Sequence, residues 1–193
     1  MALDLLQISE FVEGLDFEAK KAGGKDGRGQ LPESFFSTYS AMANTEGGVV
    51  LLGIEEVKEN QFQVSGMANP TKVLADFWAA LNNKEKVSCN ILSNDCVGLV
   101  ELEGKGIIQI TVPRATRSQM PVYLGKNPLG GTYRRHGEGD FRCDDETVKR
   151  MLADQVEDAR DTKLLENFTF ADLTLPTLQA YRNAFKTVKP DHP

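Results

Sequence analysis

Apolar residues in this chain recur in two rhythms, which predict helices and strands in alternation. Leu31, Phe35, Tyr39 and Met42 fall three and four apart through LPESFFSTYSAMAN, predicting a helix with Pro32 in its first turn that stops at Asn44, before Gly47 and Gly48. Val73, Leu74, Phe77, Trp78 and Leu81 form a second stripe, for which Asn69 and Pro70 serve as cap and first turn. A third stripe, Val148, Met151, Leu152 and Val156, follows Asp144, Asp145 and Glu146, whose charges suit a helix N-terminus. A short helix over about 4–13 is expected before the first strand. Another, capped by Thr174, is expected from Leu175 and Pro176, with Leu178, Tyr181 and Phe185 on one side.

Strand patterns fill the intervals. In EGLDFEAKK (13–21), period-two alternation puts Asp16, Glu18 and Lys20 on one side and Phe17 and Ala19 on the other. VVLLGIEE is apolar on both faces and reads as one fully buried strand. FQVSG, VSCNIL, VGLVELEG, KGIIQITVP, VYLG and GTYRRHG read as further strands, with EGKG as a tight hairpin connection. The fold class that follows is α+β, a mixed or antiparallel sheet with helices packed on it. From about Glu157 the pattern turns polar and poorly periodic. Residues 1–156 are therefore expected to form the domain, and 157–193 a linker and a helix leading to a further, downstream domain.

Composition narrows the classes. A chain of 193 residues, 40% hydrophobic and 26% charged, can bury a proper core. Its longest apolar run, VVLL, is far too short to cross a bilayer, and MALDLLQISEF lacks a basic, cleavable signal, so no membrane partner and a cytoplasmic location are expected. Cys89, Cys96 and Cys143 are odd in number and lack zinc-site spacing, which reads as reduced, structural thiols. The net charge of −6 disfavours nucleic acid as a partner, but its distribution does not. From Pro113 to Arg142, six cations (Arg114, Arg117, Lys126, Arg134, Arg135, Arg142) face only Glu138 and Asp140, a balance of +4 that leaves −10 for the remainder. Either one basic surface or six ordinary solvated side chains would produce that split.

Candidate chemistry is sparse. The glycine loop AGGKDGRGQ (22–30) has neither a phosphate-loop nor a dinucleotide-binding pattern, and reads as a connection. Glu13, Glu18 and Glu56 could meet if the first strand and the buried strand are neighbours. Oxygen-only ligands of that kind suit Mg²⁺ or Mn²⁺, which can activate water against a phosphodiester. Three ordinary surface glutamates are the plainer alternative, and Lys20 can simply neutralise Glu18. Asn44 can end its helix, Gly47 and Gly48 can supply a turn, and Gly53 can admit a close neighbour. Arg134 and Arg135, adjacent on a strand, would point to opposite faces.

Three motifs carry a family resemblance: E-x4-E-x-K over Glu13, Glu18 and Lys20; A-x-A-N-T-x-G-G from Ala41 to Gly48 with G-I-E-E after it; and PVYLG with GTYRRHG before a helix. Together, over about residues 10–155, they resemble the Schlafen AlbA_2 domain family. The resemblance implies a DNA-binding label, an α+β fold likened to the chromatin protein Alba, and, in some animal members, a metal-dependent three-carboxylate site that cuts transfer RNA. Glu13 and Glu18 match its first two acids, and Glu56 stands where an aspartate is usual. Since only one copy is present, imitation of the two-lobed nucleases would need a homodimer. Three functions are accordingly expected to compete. The first is a nucleic-acid-binding module of a bacterial transcriptional-regulator-like protein, contacting DNA or RNA phosphates through Lys20, Arg114, Arg117, Arg134 and Arg135. The second is a ribonuclease using Glu13, Glu18 and Glu56 with Mg²⁺ or Mn²⁺. The third is a nucleotide or small-ligand sensor using the glycine turn.

Overall fold

The computed structural model describes residues 17–23, 29–58, 61–137, 139–161 and 174–188. It divides into two compact units, 1–159 and 160–193. In the second, the described part is one helix, Leu175–Val188, with Leu175, Leu178, Tyr181, Phe185 and Val188 exposed.

The first unit is an α+β domain built on a four-stranded sheet of order β1-β2-β6-β5, where β1 is Phe17–Lys20, β2 Gly48–Leu52, β5 Val97–Leu102 and β6 Lys105–Val112. β1 runs parallel to β2, with Glu18 opposite Val50, and the other pairs are antiparallel. EGKG is the tight β5–β6 connection that its sequence predicts, since Leu102 pairs Lys105 across it. One sheet face, carrying Val50, Leu52, Ile108 and Ile110, packs with α1 (Ser34–Ala43) and α2 (Pro70–Leu81) through Phe35, Tyr39, Met42, Val73, Phe77 and Leu81. Asn69 caps α2 by accepting from the Lys72 amide at 3.0 Å. The other face, with Val49, Leu51 and Ile107, is covered by the hairpin of β3 (Ile54–Lys58) and β4 (Gln61–Val64).

VVLLGIEE is thus two strands, not one. Gly53 sits between them at φ +97°, a conformation that costs glycine little, and its amide bonds the Lys20 carbonyl while the chain turns out of the sheet. VSCNIL is not a strand either. The buried Tyr39 hydroxyl donates to the Cys89 carbonyl at 3.1 Å and accepts from the Ile91 amide at 2.9 Å, so a side chain satisfies backbone that a ladder would otherwise pair. VYLG forms only isolated bridges, Tyr123 to Thr132 and Leu124 to Val87. GTYRRHG contributes β7 (Tyr133–His136), and Gly139–Arg142 adds a partner, β8, that its sequence does not announce. A further helix, α3, spans Asp145–Asp161, with the Asp144 carboxylate accepting from the Thr147 amide at 2.8 Å. That bond holds the Asp144 carboxyl below its ordinary value. No helix among the described residues is long and apolar enough to cross a membrane.

Candidate nucleic-acid interface

The sequence puts charge on one face of β1, and the structure turns that face inward, toward β7 and β8. Each oxygen of Glu18 is taken by a cation, Oε1 by Lys20 Nζ and Oε2 by Arg135 Nη2, both at 2.9 Å. Arg135 also donates from Nη1 to Asp140 Oδ1 at 2.9 Å and from Nη2 to the Phe17 carbonyl at 3.0 Å. Asp140 in turn accepts from the Thr38 hydroxyl of α1. Burial alone would lower the Arg135 pKa, but hydrogen bonds and charge from Glu18 and Asp140 outweigh it and raise the value. The guanidinium therefore joins β1, α1 and the β7–β8 hairpin as a permanent cation.

This geometry corrects two expected phosphate contacts. The Arg135 side chain is 3% exposed and that of Lys20 10%, so both spend their charge inside the protein. It also bears on the expected metal. Glu18 lies with Val50 on the α1 side of the sheet, whereas Glu56 pairs with Phe62, whose ring meets Phe17 edge-on at 5.5 Å on the other side of β1. Glu13 lies outside the described residues. Among those described, no group of three His, Cys, Asp or Glu side chains could hold a metal ion, and Glu18 is already neutralised. Among the described residues, Glu18 and Glu56 are therefore not brought together at one site.

Asn44 does more than end α1. Its amide accepts from the Val122 amide at 2.8 Å and donates to the carbonyls of Val122 at 2.7 Å and Tyr133 at 3.0 Å. Ser40 next to it donates to Val122 O at 2.7 Å and accepts from the Tyr133 amide at 3.1 Å. Gly47, at φ +87°, lies so near the Val112 carbonyl that a Cβ there would come within 2.5 Å of its oxygen. Gly48 opens β2 opposite Val112. The A-N-T-x-G-G motif is thus a structural clamp.

The exposed cations divide by partner. Arg114 donates from Nη1 alone to both Glu46 oxygens, at 3.0 and 3.1 Å, and Lys126 is held by Glu85. Arg117 is exposed. On the hairpin, Arg134 pairs with Phe141 and Arg135 with Asp140, so alternation sends Arg135 inward and Arg134 to the outer face, as adjacency on a strand predicts, although Arg134 is half-buried there and its Nε is shut off from solvent. His136 and Phe141 lie with Arg134 on the outer face, their rings 6.3 Å apart. Arg142 is exposed, its guanidinium 5.8 Å from the Tyr133 ring centre and within 3.4 Å of that hydroxyl.

Residues 13–144 match the family described as Schlafen, AlbA_2. The chain belongs to the Schlafen AlbA_2 family. Residues 149–193 match a second family, a domain of unknown function, DUF8451. The solution structure of the N-terminal domain of an ATP-dependent DNA helicase RecG-related protein from Nitrosomonas europaea is similar at 27% identity and a TM-score of 0.51, over 72% of this chain and 90% of that one. The DIP2311 protein from Corynebacterium diphtheriae aligns at 15% identity and a TM-score of 0.41, over 97% of this chain and 35% of that one. No curated protein matches the chain.

Within this Schlafen AlbA_2 domain, sequence reasoning missed Thr38, Asp140 and Phe141. Thr38 and Asp140 are ordinary polar residues until β8 is known to pair with β7. Phe141 did carry a signal, as a lone aromatic among charged residues and glycine.

Proposed function

We propose that this domain is a nucleic-acid-binding module of a bacterial transcriptional-regulator-like protein, gripping phosphates through Arg117, Arg134 and Arg142. The observation that carries this reading is the division of labour on the β7–β8 hairpin. Its inner face is locked by the Arg135 ion pairs, which leaves Arg134 and His136 on the outer face of a fixed hairpin, while Arg142, beside Tyr133 on the other side of the ladder, stays exposed at the hairpin's end. Arg114 can join by exchanging exposed Glu46 for phosphate, because such surface pairs are worth at most about 1 kcal/mol. The similarity to a protein named as related to a DNA helicase supports the same class of ligand.

Phosphate contacts release counterions, so log affinity should fall linearly with log salt concentration. Arg117→Ala and Arg142→Ala are each expected to weaken DNA and RNA binding about uniformly across sequences and to reduce the slope by about 1. Fluorescence anisotropy over a salt series measures both quantities. Absent or salt-independent binding would remove the reading.

A second copy of the chain is the partner that the sheet edges favour. At β1, inward-facing charges and the Arg135 bond to the Phe17 carbonyl occupy the edge. β5 ends the sheet on the other side, with Leu99 49% exposed and no lysine, arginine or proline along VGLVEL. Such an edge is a template for another strand, and two antiparallel β5 strands satisfy each other around a two-fold axis. Leu99→Lys is expected to turn a sedimenting dimer into a folded monomer whose melting temperature no longer depends on protein concentration. A wild-type monomer at tens of micromolar protein would argue against it.

A further inference from the structure

We infer that the outer face of the β7–β8 hairpin is a stacking site for an unpaired base, so that the nucleic acid this domain takes is single-stranded. The inference rests on the nucleic-acid reading above and names its substrate class. Phe141 is 58% exposed, on a hairpin whose inner face is tied at Arg135 and Asp140 to β1 and α1. Its ring does not extend freely into solvent. A Cβ built on Gly139 would lie 2.5 Å from the ring, so the ring lies across the bare glycine two residues before it. One side of the ring is thereby seated on the hairpin and the other turned to water. Arg134 stands directly across the ladder, and the His136 ring is 6.3 Å away.

Each part suits an unpaired nucleotide. A seated aromatic ring offers a stacking surface that has already lost its rotamer freedom, and stacking on such rings is tolerant of sequence. Arg134 supplies the cation for the adjoining phosphate, and His136 a second ring or a ring N–H. In a duplex the bases are already stacked on one another, so the Phe141 face has nothing to add there. The glycine matters because any side chain at 139 would displace the ring. Glu138 lies outside the described residues. A simpler role for Phe141, shielding Gly139 from water, needs only an apolar side chain and no aromatic face.

Binding of the whole chain to a 12-nucleotide single strand and to a duplex of the same length tests this. The single strand carries 2-aminopurine, whose fluorescence falls on stacking. Phe141→Ala and Phe141→Leu are expected to weaken single-strand binding about 5-fold or more and to abolish the quenching. Phe141→Tyr should stay within about two-fold of wild type, and duplex affinity should be unchanged in all three. If Phe141→Leu binds the single strand like wild type while Arg117→Ala weakens it, the stacking site is refuted and phosphate binding survives. Equal losses on single strand and duplex would also refute it. Wild-type protein that binds neither nucleic acid would remove both readings. Phe141→Leu keeps Gly139 covered, so a misfolded Phe141→Ala would leave the test intact.

Discussion

Replacing Arg135 by alanine is expected to destabilise the domain by about 3 kcal/mol, lowering its melting temperature by about 6–12 °C. The large effect comes from what is left behind. Without the guanidinium, the Glu18 and Asp140 carboxylates lose their shared cation, and the Phe17 carbonyl loses its donor. Partial exposure of Glu18 (26%) and Asp140 (15%) keeps the cost at the lower end of what a broken buried pair incurs. Arg135→Lys should recover only part of it, because a point charge cannot serve three acceptors held apart by a planar fork. Alanine at 135 combined with Glu18→Gln and Asp140→Asn should be more stable than Arg135→Ala alone, since the stranded charges are then gone. Urea unfolding of the four proteins decides the matter. If Arg135→Ala lies within about 1 kcal/mol of wild type, the network is decorative and the hairpin is held by something else.

That network also shows where the sequence could be read and where it could not. Stripes such as Val73, Phe77 and Leu81 announce their helix because burial on one face leaves a local period. The alternation of Glu18 and Lys20 with Phe17 and Ala19 is equally local, and it holds. What lies across from that face is not local. Arg135 is 117 residues from Glu18, and a charged residue in a basic stretch looks the same whether it meets a phosphate or a buried carboxylate. The misreading of VVLLGIEE has a different origin. Hydrophobicity continues through Gly53 because β2 and β3 share one core, while the backbone turns at φ +97°. Hydropathy records burial, not direction. The family motifs were legible as a set, yet they mark the frame of the domain more than its surface chemistry. Phe141, on which the ligand reading turns, stands outside the motif residues that carry the resemblance.

Asn44 illustrates the frame, and Asn44→Ala is expected to cost about 3 kcal/mol, close to the loss at Arg135. The orientation of its amide is fixed by its surroundings, because the Val122 N–H demands an acceptor and the Val122 and Tyr133 carbonyls demand donors. Alanine would strand the Val122 amide and the Tyr133 carbonyl, and leave the Val122 carbonyl only its Ser40 donor, in a site where Asn44 is 1% and Val122 0% exposed. Water could relieve them only by entering between α1 and β7. Asn44→Asp separates the two halves of this role without changing shape. Its carboxylate could still accept from the Val122 amide, but it would set an anion against two carbonyl oxygens, and the folded state would then favour the protonated acid, which can donate to one of them. The folded-state pKa of that aspartate is therefore raised above its unfolded value. The stability that the protonated form restores is present at low pH and lost as pH rises through the raised value. Relative to wild type, Asn44→Asp should accordingly be least damaging in acid and most damaging at neutral pH, a trend that Asn44→Ala should lack. Thermal unfolding of the three proteins across that range reads the difference, and parallel curves for the two variants would show that Asn44 acts by filling space and not by joining α1 to β7.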